Sequence, residues 1–88
     1  MIHIIIEILE KILSDRPNRK ILIEQCQELI WNADGPADIL KNLAYDLDFY
    51  EPDHALRKEN HSYYDEHDLE KEITITIQKL KELNSDNL

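Results

Sequence analysis

Apolar residues recur at three- and four-residue steps through four separate stretches of this chain, and the breaks between them fall where helices stop. Ile2, Ile5, Ile6, Leu9, Ile12 and Leu13 draw one face of a first helix. Pro17 disfavours a helical Arg16, which places the end of that helix near Ser14 or Asp15. A second helix is expected from Asn18, a residue suited to an N-cap, to about Asn32. Leu22, Cys26, Leu29 and Ile30 form its stripe, widened by Ile23 and Trp31. Asp34-Gly35-Pro36 then closes one helix and opens the next. From Pro36 to about Tyr50, Leu40, Leu43, Leu47 and Tyr50 share a face, while Tyr45, Asp48 and Phe49 point away from it. Two aromatics and an acid on an outward face either pack under the following connection or belong to a partner-binding surface.

Residues 51–66 contain Pro52 and little periodicity, so they read as a long loop or partly ordered connection, a length often tied to function. The last stretch, Asp65 to Leu83, is ambiguous at first sight. Ile73-Thr74-Ile75-Thr76-Ile77 alternates as a strand does, but Leu69, Ile73, Ile77, Leu80 and Leu83 follow helical spacing, and a lone strand has no pairing partner. A helix capped by Asp65 or Asp68 is the reading adopted, with Asn84–Leu88 fraying. The fold class expected is all-α: one domain over residues 1–88, an antiparallel four-helix bundle with a long acidic connection between helices three and four.

Charge adds the first functional constraint. The formal net charge is −9, and residues 45–68 hold eight acids against Arg57 and Lys58, a local balance of −6. Such a surface repels nucleic acid and anionic membrane and steers basic partners toward itself. The plainer reading is a solvated acidic loop that aids solubility.

Catalytic and metal-binding patterns are sparse. A single glycine, Gly35, excludes glycine-rich phosphate loops. One cysteine and no close pair of histidines fit no structural zinc site, and His54, His61 and His67 in an acidic loop are a weak metal pattern. Ser14, Ser62 and Ser85 lack a nucleophile-elbow context. Paired carboxylates such as Asp46 with Asp48, or Asp65 with Glu66, have nothing apolar in sequence around them to raise a pKa. No cofactor is expected, and the chain reads as a binding protein, not an enzyme. Cys26, lying between Ile23 and Leu29, reads as a small buried hydrophobe in a reducing compartment. The apolar start lacks a basic region and is interrupted by Glu7 and Glu10, so neither a signal peptide nor a membrane span is expected, and the location inferred is cytoplasmic.

One run carries a resemblance. Asp48-Phe49-Tyr50-Glu51-Pro52-Asp53, followed by Tyr63-Tyr64-Asp65-Glu66 and by Leu69-Glu70-Lys71-Glu72 leading into a terminal Ile/Leu helix, resembles the colicin D immunity proteins, including similar immunity proteins of contact-dependent growth-inhibition systems. The Ile21-Leu22-Ile23-Glu24-Gln25-Cys26 stretch is similar as well. The resemblance implies a four-helix protein that binds the transfer-RNA nuclease domain of a secreted toxin one-to-one and covers its basic cleft with carboxylates standing in for RNA phosphates. It implies Asp48, Glu51 and Asp53 as cleft-binding residues, with Tyr64, Asp65, Glu66 and Asp68 carried over more loosely. Phe49 and Tyr45 are the candidate aromatic contacts. The connection from His54 to His61 is longer than the family pattern leads one to expect. The other reading is a small acidic helical adaptor or antitoxin for a different basic partner; a metal-dependent enzyme is a more distant third.

Overall fold

The computed structural model describes residues 2–86 and is mostly helical. α1 spans Ile2–Ser14, α2 Arg19–Trp31, α3 Asp38–Leu47, α4 His54–Arg57 and α5 Glu66–Asp86. A 3₁₀ turn, Arg16–Asn18, joins α1 to α2 with Pro17 inside it. α1 ends at the expected place, but the break falls at Asp15 (φ −120°, ψ 76°): Pro17 has no N–H with which to continue α1, and Arg16 before it opens the 3₁₀ turn instead of being excluded from helix. Asn18 stands at the start of α2 without capping it; its side-chain amide donates instead to Asp15 Oδ2 at 3.0 Å. Gly35, at φ +60°, makes the left-handed turn that sends the chain from α2 toward α3. The ambiguous final stretch is a helix throughout the described residues, reaching Asp86; Asn87 and Leu88, part of the tail expected to fray, lie outside them.

α1 is the central element, packed on α2 and α5, and α2 in turn packs on α3. The core is aliphatic: Ile5, Leu9 and Ile12 from α1, Ile23, Cys26 and Ile30 from α2, Leu40, Leu43 and Leu47 from α3, and Leu69, Ile73 and Leu80 from α5. Each such side chain removed from water contributes about 1.5–3 kcal/mol. The helical-period reading therefore located the inner faces of α1, α3 and α5. It was less accurate on α2, where Leu29 and Trp31 were assigned to the stripe but are 38 % and 54 % exposed. Leu83, assigned to the α5 stripe, is also exposed. The inner face of α2 is instead Arg19, Ile23, Cys26 and Ile30, a four-three-four spacing that begins on a charged residue.

Arg19 is 2 % exposed and ties one end of the molecule together. Its Nε donates to the Ile12 carbonyl at 2.8 Å, and one terminal nitrogen donates to Glu70 at 3.2 Å; the other lies 3.9 Å from Glu66. Arg16 reaches the same Glu70 oxygen from the surface at 3.1 Å. The carbonyls that α1 leaves unpaired at its C-terminus, a general feature of helix ends, are thus met by a side chain at the start of α2. Burial pushes the Cys26 thiol up to about 12, so it is a protonated, inert part of the core at neutral pH.

Candidate functional site

The acidic stretch, expected as a long loop or partly ordered connection, contains the short helix α4 and a set of backbone hydrogen bonds. α3 stops at Leu47, three residues before the expected end at Tyr50, because the last turn tightens: Asp48, Phe49 and Tyr50 donate their backbone N–H groups to Tyr45, Asp46 and Leu47. Two α3 carbonyls near this end are met from elsewhere. Gln27 of α2 donates to Ala44 at 3.0 Å and, with the same nitrogen, to Asp48 Oδ1 at 2.6 Å; the Tyr64 hydroxyl donates to Asp46 at 2.8 Å. The segment 48–65, here called the strap, leaves α3 and returns beside it. Glu51 N–H donates to the Tyr64 carbonyl and Tyr64 N–H to the Phe49 carbonyl, each at 2.9 Å, an isolated parallel bridge between Tyr50 and Tyr64.

Inside the strap the acids hold the backbone. Asp53 caps α4, its carboxylate accepting from the N–H of Ala55 at 2.8 Å and of Leu56 at 3.4 Å. Arg57, one turn on, donates back to the carbonyls of Glu51 at 2.9 Å and Pro52 at 3.2 Å. Asp65, one of the two expected caps, accepts from the N–H of Asp68 at 3.0 Å, and that hydrogen bond lowers its pKa. Asp68 itself is in the first turn of α5, where a negative charge meets the positive end of the helix dipole. Glu66 accepts from the Tyr50 hydroxyl at 3.3 Å and faces Arg19. Tyr50 accordingly packs against the core while its hydroxyl joins the Arg19 network; burial, then the charge of Glu66, raises its pKa.

The predicted site residues do not form a single patch. Asp48 and Glu51 line a depression between the end of α3 and α2, with Glu24 and Lys20 on its other wall. Tyr45, Phe49 and Tyr64 line a second depression on the α5 side, together with Asp46, Ser62 and Glu72. Tyr45 is 60 % exposed, and its ring meets Phe49 edge-on with centroids 5.4 Å apart. Phe49 also contacts Tyr63 across the strap at 6.4 Å, so of the two outward aromatics Phe49 is the one partly covered by the connection. Asp53 lies on the exposed strap, and Asp65, Glu66 and Asp68 cluster at the start of α5.

Sequence reasoning missed two residues of consequence here. Arg19 was counted only as a base, though its place in the four-three-four register of α2 marks it as inward-facing. Glu72 shares a depression with Asp46, and burial first, then the neighbouring Asp46 carboxyl, pushes its pKa up to about 7. No local signal pairs two acids so distant in sequence. Among the described residues, no three His, Cys, Asp or Glu side chains converge as they would around a metal ion, and no helix is long and apolar enough to cross a membrane. No family model matches the chain, and no curated protein or solved structure matches it significantly.

Proposed function

We propose that this protein is a non-catalytic inhibitor: an immunity protein, similar to those of colicin D, that binds the basic nuclease domain of a bacterial toxin in the cytoplasm and blocks its transfer-RNA cleft. The observation that carries the reading is the strap. Two thirds of the net charge lies in residues 45–68, and that segment is held by backbone, capping and tyrosine hydrogen bonds instead of moving freely. Charges fixed in this way lose little conformational freedom on binding, and they make charge-assisted bonds with Lys and Arg once water is excluded. The helices are read as an antiparallel four-helix bundle, supported by the meeting of the α1 C-terminus and the starts of α2 and α5 around Arg19.

Asp48, Glu51 and Asp53 are the carboxylates assigned to the cleft. Their intramolecular bonds leave acceptor capacity, because an ionised carboxylate offers about four lone-pair sites. The test is co-expression with toxin nuclease domains, scoring growth, followed by inhibition with purified proteins. Asp48→Asn, Glu51→Gln and Asp53→Asn remove charge but retain an oxygen able to accept the bonds from Gln27 and from the α4 backbone. The triple variant should keep its helical content and lose about 30-fold or more in inhibition, on the scale of buried interfacial charge pairs. Undiminished protection by that variant would falsify the placement. Rescue against a basic partner of another kind would favour the adaptor or antitoxin reading instead.

A further inference from the structure

α3 and α5 do not pack closely along their lengths, and a groove of about 640 Å³ runs between them. That volume is within the ~300–1,000 Å³ typical of binding clefts. Ile39 and Leu43 from α3 and Ile75 from α5 supply its apolar wall; Ile75 is 46 % exposed. The groove is also polar in a directional sense. Asp46, Asp68 and Glu72 line one end of it with Lys71 among them, whereas Lys79 lies further along α5. At 1.5 Å per residue, roughly 16 Å separates Asp68 from Lys79. A partly apolar trough of this length, with three acids against one lysine toward one end, suits two to three turns of helix laid in with its own apolar stripe facing down.

The carboxyls of Asp46 and Glu72 line the groove together, one from each helix, and burial and then Asp46 raise the pKa of Glu72. Two neighbouring carboxylates repel each other when both are ionised, so one of them favours keeping a proton. A guanidinium supplies donors to both oxygens and removes that need.

We propose that this groove docks an amphipathic helix of a basic partner, with aliphatic side chains against Ile39, Leu43 and Ile75 and one Arg inserted between Asp46 and Glu72. This extends the inhibitor reading by naming the element the partner contributes, and it rests on that reading only for the partner's basic character. The ionisable groups around Glu72 are Asp46 from α3, Asp68, Lys71 and Lys79 on α5, and Tyr64 from the strap, whose burial keeps its phenol protonated well above neutrality. With the Glu72 carboxyl pushed up to about 7, Arg binding expels a proton in mildly acid solution and none in alkaline solution.

The probe is a synthetic amphipathic helix of about fourteen residues, long enough to form helix on docking, with leucines on one face and an Arg at one end of that face. It is titrated into the intact protein by calorimetry in two buffers of different ionisation heat, with methyl NMR shifts recorded in parallel. Expected are saturable binding, shifts centred on Ile39, Leu43 and Ile75, and proton release at pH ~6 that disappears by pH ~8. Asp46→Asn combined with Glu72→Gln, checked for unchanged helical content, should weaken binding about tenfold and abolish the proton release. Unchanged affinity in that variant, shifts centred instead on the α1–α2 face at Ile8 and Leu29, shifts that depend on protein concentration alone as for a second copy, or no saturable binding would each overturn the proposal. The peptide assay contains no nuclease, so the two readings fail separately: growth rescue without peptide binding removes only the groove, and peptide binding without any neutralised nuclease removes only the inhibitor assignment.

Discussion

α1 and α3 carry similarly regular apolar stripes, yet they are used differently. α1 is covered on two sides, by α2 and α5, and buries Ile5, Leu9 and Ile12 completely. α3 packs closely on α2 alone, and its other flank looks into the groove shared with α5. Its C-terminus is secured by side chains from outside the helix, Gln27 and Tyr64, and not by a second closely packed helix. The contrast separates two tasks within a small domain. The α1-centred half supplies the cooperative core; the α3 half keeps apolar and acidic surface in a defined shape without covering it. A short chain has few side chains with which to do both, because it buries a smaller fraction of its surface than a longer one.

The sharpest way to break that comparison is the same truncation in each half. Leu9→Ala should cost about 4 kcal/mol, because the cavity it leaves is walled by two packed helices and cannot collapse. Leu43→Ala should cost about 2 kcal/mol, since α3 can settle and the groove already admits water beside it. Urea midpoints at constant slope measure both. Equal costs would mean that α3 is as constrained as α1.

Arg19 sharpens the comparison from the polar side. Arg19→Met keeps the aliphatic packing but leaves the Ile12 carbonyl without its donor and Glu70 without its buried partner, a loss of about 2 kcal/mol. Glu70→Gln retains an oxygen for the same guanidinium at a partly exposed site and should cost less than about 1 kcal/mol, by the same denaturation measurement.

These residues also show where sequence reading stops. Periodicity located α1, α3 and α5 because their inner faces are mostly Ile and Leu, with Ala44 on α3 and Thr76 on α5 the exceptions, and Pro17 and Gly35 marked the breaks. On α2 the stripe was misjudged because its first inward residue is an arginine, and an apolar count passes over it in favour of Leu29 and Trp31. The strap was legible as an acidic loop or partly ordered connection, but its pairings were not: those of Tyr64 with Phe49 and of Tyr64 with Asp46 depend on chain return and leave no local trace. Asp53, Asp65 and Glu66 were visible as acids, whereas their capping and ion-pairing duties follow only from where the helices begin.

Acidity should distinguish the two halves again. Glu72 is partly buried with its pKa raised, so the folded state binds more protons than the unfolded chain between the ordinary glutamate range and about pH 7. Stability should therefore fall as pH rises through that window, by on the order of 1 kcal/mol after allowance for solvent screening. Glu72→Gln should flatten the dependence, read as thermal midpoints from pH ~5 to ~8. Asp65 acts with the opposite sign: its depressed pKa supports the fold above the ordinary aspartate range and ceases to do so as pH falls through the folded value. A profile that rises between pH ~5 and ~7 would place the protonated carboxyl elsewhere than the α3–α5 groove.

The smallest expected effect is also the most discriminating for the strap. Asp53 has two duties that charge reversal would remove together: it caps α4 through the N–H groups of Ala55 and Leu56, and it is one of the carboxylates assigned to the partner's cleft. Asp53→Asn should preserve the cap and remove the charge, leaving stability within about 0.5 kcal/mol while partner binding weakens. Asp53→Ala removes both, and at an exposed cap should cost about 0.5–1 kcal/mol, appearing mainly as faster hydrogen exchange at Ala55 and Leu56 and little change in the global midpoint. If the Asn and Ala variants bind a basic partner equally poorly, the charge is what the partner reads. If only the Ala variant fails, the partner reads the shape of the strap, and Asp53 serves by holding α4 in place.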